Sequence, residues 1–227
     1  MGYLSSPAFW GALGSIVLAN IVLSGDNAVV IAMAARSLPR AQQRRAAIWG
    51  SAAAIVMRIG LTLVAVELLR WPYLKIVGSL LLLWIGVTLL RGDAEPEGAP
   101  PNRGMLAAIR TILVADLVMS LDNVLAVAAA ARGDIPLLVL GLVISIPLIV
   151  FGSTLLSGLM ARFPIIVTLG AALLGFLAGE MAMSDPALTA RVGEPPDEAV
   201  DGVGVAGAAL VVGVGQWWRK RREAATA

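Results

Sequence analysis

Two short segments of the chain carry acids and amides within apolar sequence. They read LSGDNAVVIA and MSLDNVLAVA, so each contains the pattern S-x-D-N. An ionised carboxylate at the centre of a transmembrane helix costs about 2.5–3.5 kcal/mol, and ionisable groups kept at such positions usually serve a function. We therefore expect a ligand site; the alternative is that these groups are protonated or only link helices by hydrogen bonds. The candidate metal ligands are the acids and amides of this region: Asp26, Asn27, Asp116, Asp122 and Asn123.

The residue types that are present narrow the class of ligand. The chain has neither His nor Cys, which excludes disulfides, zinc fingers and a Ser-His triad. Carboxylate, amide and hydroxyl oxygens favour hard or borderline divalent cations such as Mg, Ca and Mn. Three nearby methionines could add a softer thioether ligand, although Met in an apolar helix more often fills the core: Met33, Met119 and Met181.

Helical spacing leaves open how these groups meet. At 100° per residue, Asp116, Ser120 and Asn123 share one face, whereas Asp122 points about 100° away from Asn123. One straight helix therefore cannot aim all four side chains at one ion. Gly25 could permit a break before Asp26, but the second copy has no glycine there. Alternatively, the two S-x-D-N aspartates face each other across a pseudo-twofold axis.

Further polar residues are candidates for supporting the ligands or gating the site. Arg58 lies in the middle of an apolar stretch, so we expect it to pair with Asp26 or Asp116, or to act as a counter-charge when the ion has left. Glu180 lies near the end of another stretch and is either a ligand, a gate or an interfacial residue. The full set of these candidates is Asn20, Ser24, Ser120, Arg58 and Glu180.

Composition places these residues in a membrane. Hydrophobic residues make up 59% and charged residues 14% of the 227 residues, against roughly 45–50% and 25% in soluble domains. The sequence therefore predicts an all-α polytopic protein in the lipid bilayer with about seven transmembrane helices, or six if the Gly-rich last stretch does not span. The stretches are 8–34, 46–68, 72–90, 105–131, 135–160, 163–183 and 202–218.

An internal repeat organises the stretches. Ala19–Asn27 aligns with Ala115–Asn123 at an offset of 96, with five of nine positions identical, and Gly78 aligns with Gly170 at an offset of 92. Because each copy would contain three helices, an odd number, the second copy must be inverted relative to the first, and a shared site would lie near the bilayer midplane. The predicted parts are a three-helix repeat at 8–90, a polar linker at 91–104, a second repeat at 105–183, an acidic external loop at 184–201, a last helix at 202–218 and a basic tail at 219–227.

The basic residues predict the orientation. Seven spans put twelve of the 17 Lys and Arg residues on one side and four on the other, and the richer side is expected to be cytoplasmic. The amino terminus is then outside and the carboxyl terminus inside the cytoplasmic (inner) membrane. The RKRR tail is interpreted as a determinant of topology, and we expect no nucleic-acid partner.

The doubled S-x-D-N motif, together with the runs GSLLLLWIG and LGAALLGFLAGEM, resembles the TerC family of integral membrane proteins over about residues 8–183, and the chain's length resembles the family's YjbE-like branch. The family is placed in the lysine-exporter superfamily of inverted three-helix repeats, and its characterised members are associated with manganese(II) export. The resemblance implies an Mn(II) exporter that uses alternating access and no enzymatic activity. It assigns the ion site to Asp26, Asn27, Asp122 and Asn123, with Mn²⁺ as transported substrate and no cofactor.

Three other functions compete with export. A membrane partner that supplies metal to secreted proteins, in contact with the secretion machinery, would use the same ligands. An amino-acid exporter of the same superfamily would share the fold. An intramembrane aspartyl protease would use Asp26 and Asp122 as a pair, although the expected G-x-G-D form is missing. The sequence leaves the oligomeric state open, and a homo-oligomer is among the partners considered.

Overall fold

The computed structural model describes residues 7–22, 25–68, 71–91, 103–131 and 134–226. These residues form α-helices and no strand, which confirms the predicted all-α fold class. The helices in chain order are α1 (Pro7–Val22), α2 (Gly25–Ala35), α3 (Arg40–Leu68), α4 (Leu74–Arg91), α5 (Arg103–Ala131), α6 (Ile135–Arg162), α7 (Ile165–Met183), α8 (Pro186–Val192) and α9 (Asp197–Thr226).

Five helices of the described part are long and apolar enough to cross a bilayer: α4, α5, α6, α7 and α9. The stretch predicted at 8–34 instead falls on two shorter apolar helices, α1 and α2, and residues 23–24 between them lie outside the described ranges. The stretch predicted at 46–68 lies in α3, which is not among the five. That helix begins at Arg40 and includes three more arginines, Arg44, Arg45 and Arg58.

The segment 184–201 departs from the predicted loop. Its sequence forms α8 and the first turn of α9, which begins at Asp197 and extends past the predicted end at 218. Asp185 caps α8 by accepting a hydrogen bond from the Ala187 N–H, and Pro186 occupies the first turn. Asp followed by Pro is a start signal for a helix. Residues 92–102 of the predicted linker lie outside the described ranges.

Most of the helix contacts among α1 to α7 recur when the two halves are exchanged. In the repeat, α1 and α2 together correspond to α5, α3 corresponds to α6, and α4 corresponds to α7. The contact of α1 and α2 with α6 thus has its counterpart in the contact of α5 with α3. Likewise, α2 contacts α7 and α5 contacts α4. The pairs α4 with α7 and α2 with α5 join equivalent helices across the halves. Two related units would give this pattern, and their inversion stays a prediction.

Helix ends gather at two ends of the molecule. At the first, which we call the basic end, an Arg36 guanidinium N–H donates to the Leu89 carbonyl at 2.8 Å, and the Arg91 guanidinium lies 5.7 Å from the Trp218 ring centroid. At the opposite end, Tyr73 N–H donates to Asp185 at 2.9 Å. Because successive long helices connect these ends, the chain crosses the molecule repeatedly, as a multi-pass membrane protein requires.

Glycines allow α9 to approach α7 closely. A Cβ added at Gly179 would lie 2.7 Å from the Gly204 Cα, and Gly175 similarly faces the Gly207 backbone. Small residues that let two backbones approach are the usual means of packing helices in lipid. The glycines of α9 made it the least certain span by sequence. In the structure, these glycines allow α9 to pack closely against α7.

Candidate functional site

A buried ion pair joins α3 to α5. The Arg58 guanidinium lies 2.6 Å from Asp116 Oδ1, with side chains only 3% and 8% exposed. Arg58 Nε–H also donates to Ser120 Oγ at 3.0 Å, and the Ser120 hydroxyl donates to Asp116 Oδ2 at 3.3 Å. The predicted pairing of Arg58 with a carboxylate is confirmed, with Asp116 as the partner. Asp116 and Ser120 meet the arginine together because they lie one helical turn apart.

A small cavity lies beside this pair. Its volume is about 20 Å³, and Asn27, Ser51, Arg58 and Asp116 line it together with apolar residues such as Ile31. We call it the inner cavity. Ser51 lies seven residues before Arg58 on α3, so the two share a face. The inner cavity thus joins polar groups of α2, α3 and α5.

Several polar atoms of the inner cavity have no hydrogen-bond partner among the described residues. They are Asn27 Oδ1, Asn27 Nδ2 and Ser51 Oγ, and the two residues are only 5% and 3% exposed. Buried polar groups are normally hydrogen-bonded. The inner cavity therefore presents unused donors and acceptors to whatever occupies it.

A second, larger cavity is lined by the acids Asp26 and Glu180. Its volume is about 330 Å³, and its polar lining includes Asp26, Asn123, Glu180 and Ser184. The thioether residues Met119 and Met181 also line it. We call it the acidic cavity. Two of the described residues that line it carry carboxyl groups, and none of them is basic.

Asp26 reaches the acidic cavity from the start of α2. It lies in the first turn of the helix, where backbone N–H groups have no intrahelical acceptor. Its Oδ1 atom accepts a hydrogen bond from the Asn27 N–H at 2.8 Å. Because adjacent residues on a helix point about 100° apart, Asp26 and Asn27 line different cavities.

The candidate ligands whose side chains the structure describes therefore divide between two cavities. The inner cavity brings together Asn27 and Asp116, and the acidic cavity brings together Asp26, Asn123 and Glu180. Asp116 and Asn123 share a face of α5 but lie about 10 Å apart along its axis, which explains their separation. In the part of the chain that the structure describes, no group of three or more His, Cys, Asp or Glu residues is placed to hold a metal ion.

Three residues of the predicted site, the ligand Asp122 and the supporting residues Asn20 and Ser24, cannot be placed in either cavity. Asp122 lies within α5 and Asn20 within α1, but both side chains are outside the described part of the structure. Ser24 lies outside the described ranges altogether. The alternative that Asp26 and Asp122 face each other therefore stays a prediction.

Sequence reasoning missed Ser51, whose only signal is its spacing of seven from Arg58. It placed Met119 and Met181 near the site, and both line the acidic cavity. Met33 behaves differently: its sulfur lies against Gly170 on α7, at 2.8 Å from the position of an added Cβ, and it belongs to the core.

Two further cavities lie at the basic end. One, of about 340 Å³, is lined by Ile31, Arg40 and Arg44 among others; the other, of about 470 Å³, is lined by Arg36 and Arg219 among others. Burial lowers the pKa of Arg36, and the nearby Arg219 lowers it further. Ile31 lines both the first of these cavities and the inner cavity, so the inner cavity adjoins the basic end.

Comparisons with known proteins agree with this architecture. A family model described as "Integral membrane protein TerC family" matches residues 5–223. The uncharacterized membrane protein YjbE of Bacillus subtilis is 44% identical over 174 residues, which are 77% of this chain and 80% of that protein. The uncharacterized membrane protein YceF of the same organism is 27% identical over 80% of this chain and 74% of its own length.

A more distant relative is the UPF0053 inner membrane protein YgdQ of Escherichia coli, which is 26% identical over 71% of this chain and 76% of its own length. No solved structure matches the chain.

Proposed function

Since the chain belongs to the TerC family of integral membrane proteins, we propose that it exports a divalent cation, Mn(II), across the cytoplasmic membrane. Its relatives are described as membrane proteins, and YgdQ as an inner membrane protein. The chain then acts as a transporter and not as an enzyme. The amino terminus lies outside and the basic end faces the cytoplasm.

The acidic cavity is the observation that carries this proposal. Asp26 and Glu180 offer two carboxylates, Asn123 offers an amide oxygen, and Met119 and Met181 offer thioethers around a space of about 330 Å³. Two carboxylates balance the charge of one divalent cation. Oxygen ligands suit Mg, Ca and Mn alike, whereas thioether sulfur is a softer ligand that Mg and Ca do not favour. This mixed lining supports manganese over the harder ions.

The positions of the two cavities support alternating access. The acidic cavity reaches the end of the molecule formed by Ser184 and the start of α9, since Ser184 and Val200 line it. The inner cavity adjoins the basic end. Between them stands α2, which contributes Asp26 to one and Asn27 to the other. A cation that crosses the molecule along α2 would therefore meet oxygen ligands from both sides.

Cellular manganese content tests the proposal. Cells that express the wild-type protein under manganese load should accumulate less manganese than cells that express Asp26→Asn or Asp122→Asn, because each variant removes the charge of a ligand with little change in shape. Glu194→Gln, an exposed acid outside the cavity, is the matched control and should behave as wild type. Equal manganese content in cells expressing wild type and Asp26→Asn at equal protein levels would refute export.

The same strains separate export from metal supply. If intracellular manganese is unchanged but secreted metalloenzymes lose their metal when the protein is absent, the chain is a partner of secretion and not an exporter. Competition of Mn(II) flux by amino acids would instead point to an amino-acid exporter.

A further inference from the structure

The inner cavity has the features of a binding site for a small polar occupant. Asn27 and Ser51 are more than nine-tenths buried and have unpartnered polar atoms in the described structure. Both residues line the cavity. A volume of about 20 Å³ admits one water molecule or one bare ion. Asn27 Oδ1, Ser51 Oγ and the Asp116 carboxylate together form an oxygen set suited to a divalent cation.

Charge balance sets a condition on that occupant. Asp116 is buried in the membrane-spanning part of α5 and already has a cation beside it, the Arg58 guanidinium at 2.6 Å. A divalent ion bound to Asp116 would repel the guanidinium strongly, since charges interact more strongly in a buried site than in water. The ion and the Arg58 guanidinium are therefore competing partners for one carboxylate.

Without Arg58, the empty cavity would leave Asp116 as a lone carboxylate within the membrane, which is costly. A transporter that must return empty across its cycle needs a way to cover that charge. The Arg58 side chain on α3 can neutralise Asp116 in this state, because its guanidinium is already within contact distance of the carboxylate.

We propose that the inner cavity is a second station for the transported cation and that Arg58 is a tethered cation that takes the ion's place on Asp116 when the station is empty. Asn27 and Ser51 complete the oxygen set of the occupied station. This inference rests on the proposed function. With Arg58 in this role, net export needs no other cation to be carried in the opposite direction, because the Arg58 guanidinium neutralises Asp116 while the empty transporter returns.

Two transport modes measured in proteoliposomes test this role. Vesicles loaded with radioactive Mn(II) are placed either in buffer with a chelator, which reports net efflux, or in excess unlabelled Mn(II), which reports exchange. Exchange returns the carrier with an ion bound and does not need Arg58. In Arg58→Gln, net efflux should fall by about tenfold or more, as expected for leaving a buried charge uncovered, while exchange stays within about twofold of wild type.

Arg58→Lys and Arg110→Gln complete the design. Lysine keeps the positive charge and should retain net efflux. Arg110 is an exposed arginine on α5, so its replacement should alter neither mode. If Arg58→Gln does not yield folded protein, Arg58→Lys decides: net efflux retained supports the tethered cation, and loss of net efflux with exchange in proportion overturns it.

The inference is also overturned if Arg58→Gln keeps net efflux, or if both modes fall together in folded Arg58→Gln. The absence of exchange and net efflux in the wild type would instead refute the proposed function, so the two failures are distinguishable.

Discussion

Asp185 shows how one buried acid can hold two helices. It is fully buried, and its carboxylate accepts hydrogen bonds from backbone N–H groups of Tyr73, Lys75, Ile76 and Ala187 at 2.7–3.2 Å. It thereby caps both α4 and α8. It also fixes Tyr73, whose φ of 69° lies in the left-handed region that bulky residues rarely adopt. The sequence suggested only a solvated loop there, because the caps come from a distant part of the chain.

Removing this cap should destabilise the protein. We expect Asp185→Ala to lower the free energy of unfolding by roughly 2 kcal/mol, since a helix cap is worth about 0.5–2 kcal/mol and two helices lose theirs. Thermal unfolding in detergent measures the loss. Glu194→Ala, at an exposed site nearby, should change the melting temperature little, and an equal effect of both variants would contradict the capping role.

The same carboxylate predicts a pH dependence. Burial raises the pKa of Asp185, but the hydrogen bonds from Tyr73, Ala187, Ile76 and Lys75 together outweigh burial and hold the pKa below its ordinary value. The ionised form therefore stabilises the fold above the ordinary pKa of about 4, and this stabilisation is lost as the pH falls through the lowered pKa. The melting temperatures of wild type and Asp185→Asn should differ by a constant amount from pH 7 down to about pH 4, and the difference should shrink as the pH falls further through the lowered pKa. A difference that stays constant below about pH 4 would argue against this assignment.

At the scale of single residues, the sequence predicted the ion pair of the buried arginine but not the cavities that Asp26 and Asn27 line. A buried arginine needs an anion, so the pairing of Arg58 was predictable from its position. The different directions of Asp26 and Asn27 follow from helical spacing, but the cavity that each residue lines depends on how α2 packs against the other helices, which the sequence does not show.

At the scale of helices, apolar length predicted which segments form helices but not all of their ends. The close approach of α7 and α9 follows from glycines whose role appears only when both helices are in place. Gly78 and Gly170, matched in the repeat, behave alike: an added Cβ at each would lie 2.6 Å from Met181 Cε and 2.8 Å from Met33 Sδ, respectively. A shared packing device at equivalent positions supports the duplication.

Substitution of these glycines tests the α7–α9 contact. Gly179→Ala should lower stability by about 1–3 kcal/mol, because its Cβ would meet the Gly204 backbone and overpacking costs that much. Gly213→Ala on α9 has nothing within 4 Å of the added Cβ and should be neutral or stabilising, since alanine favours helix over glycine by about 1 kcal/mol. In thermal unfolding, Gly179→Ala should lower the melting temperature, whereas Gly213→Ala should leave it unchanged or raise it. An equal decrease in both variants would contradict the packing.

At the scale of the whole molecule, the proposed orientation in the membrane rests on the distribution of basic residues. The basic end and the end that carries Asp185 are opposite ends of the same helices, as the alternation of spans predicted. Our proposal that the basic end faces the cytoplasm is based on the positive-inside rule and not on the fold itself.

Single cysteines can test this orientation directly, because the chain has none of its own. Glu194→Cys should react in intact cells with a maleimide that cannot cross the membrane, whereas Lys220→Cys should react only after the cells are opened. The reverse pattern would show the opposite orientation.

Metal flux tests the central claim most directly. Purified wild type and Asp26→Asn are reconstituted into proteoliposomes, and the flux of Mn, Mg, Ca, Fe and Zn is compared with that of protein-free vesicles. We predict Mn(II) flux in the wild type that exceeds flux of Zn(II), and a loss of about tenfold or more in Asp26→Asn, as expected when about 1.4 kcal/mol or more of ligand binding is removed. Mn(II) flux that is absent from the wild type, or equal in the two proteins, would contradict the account.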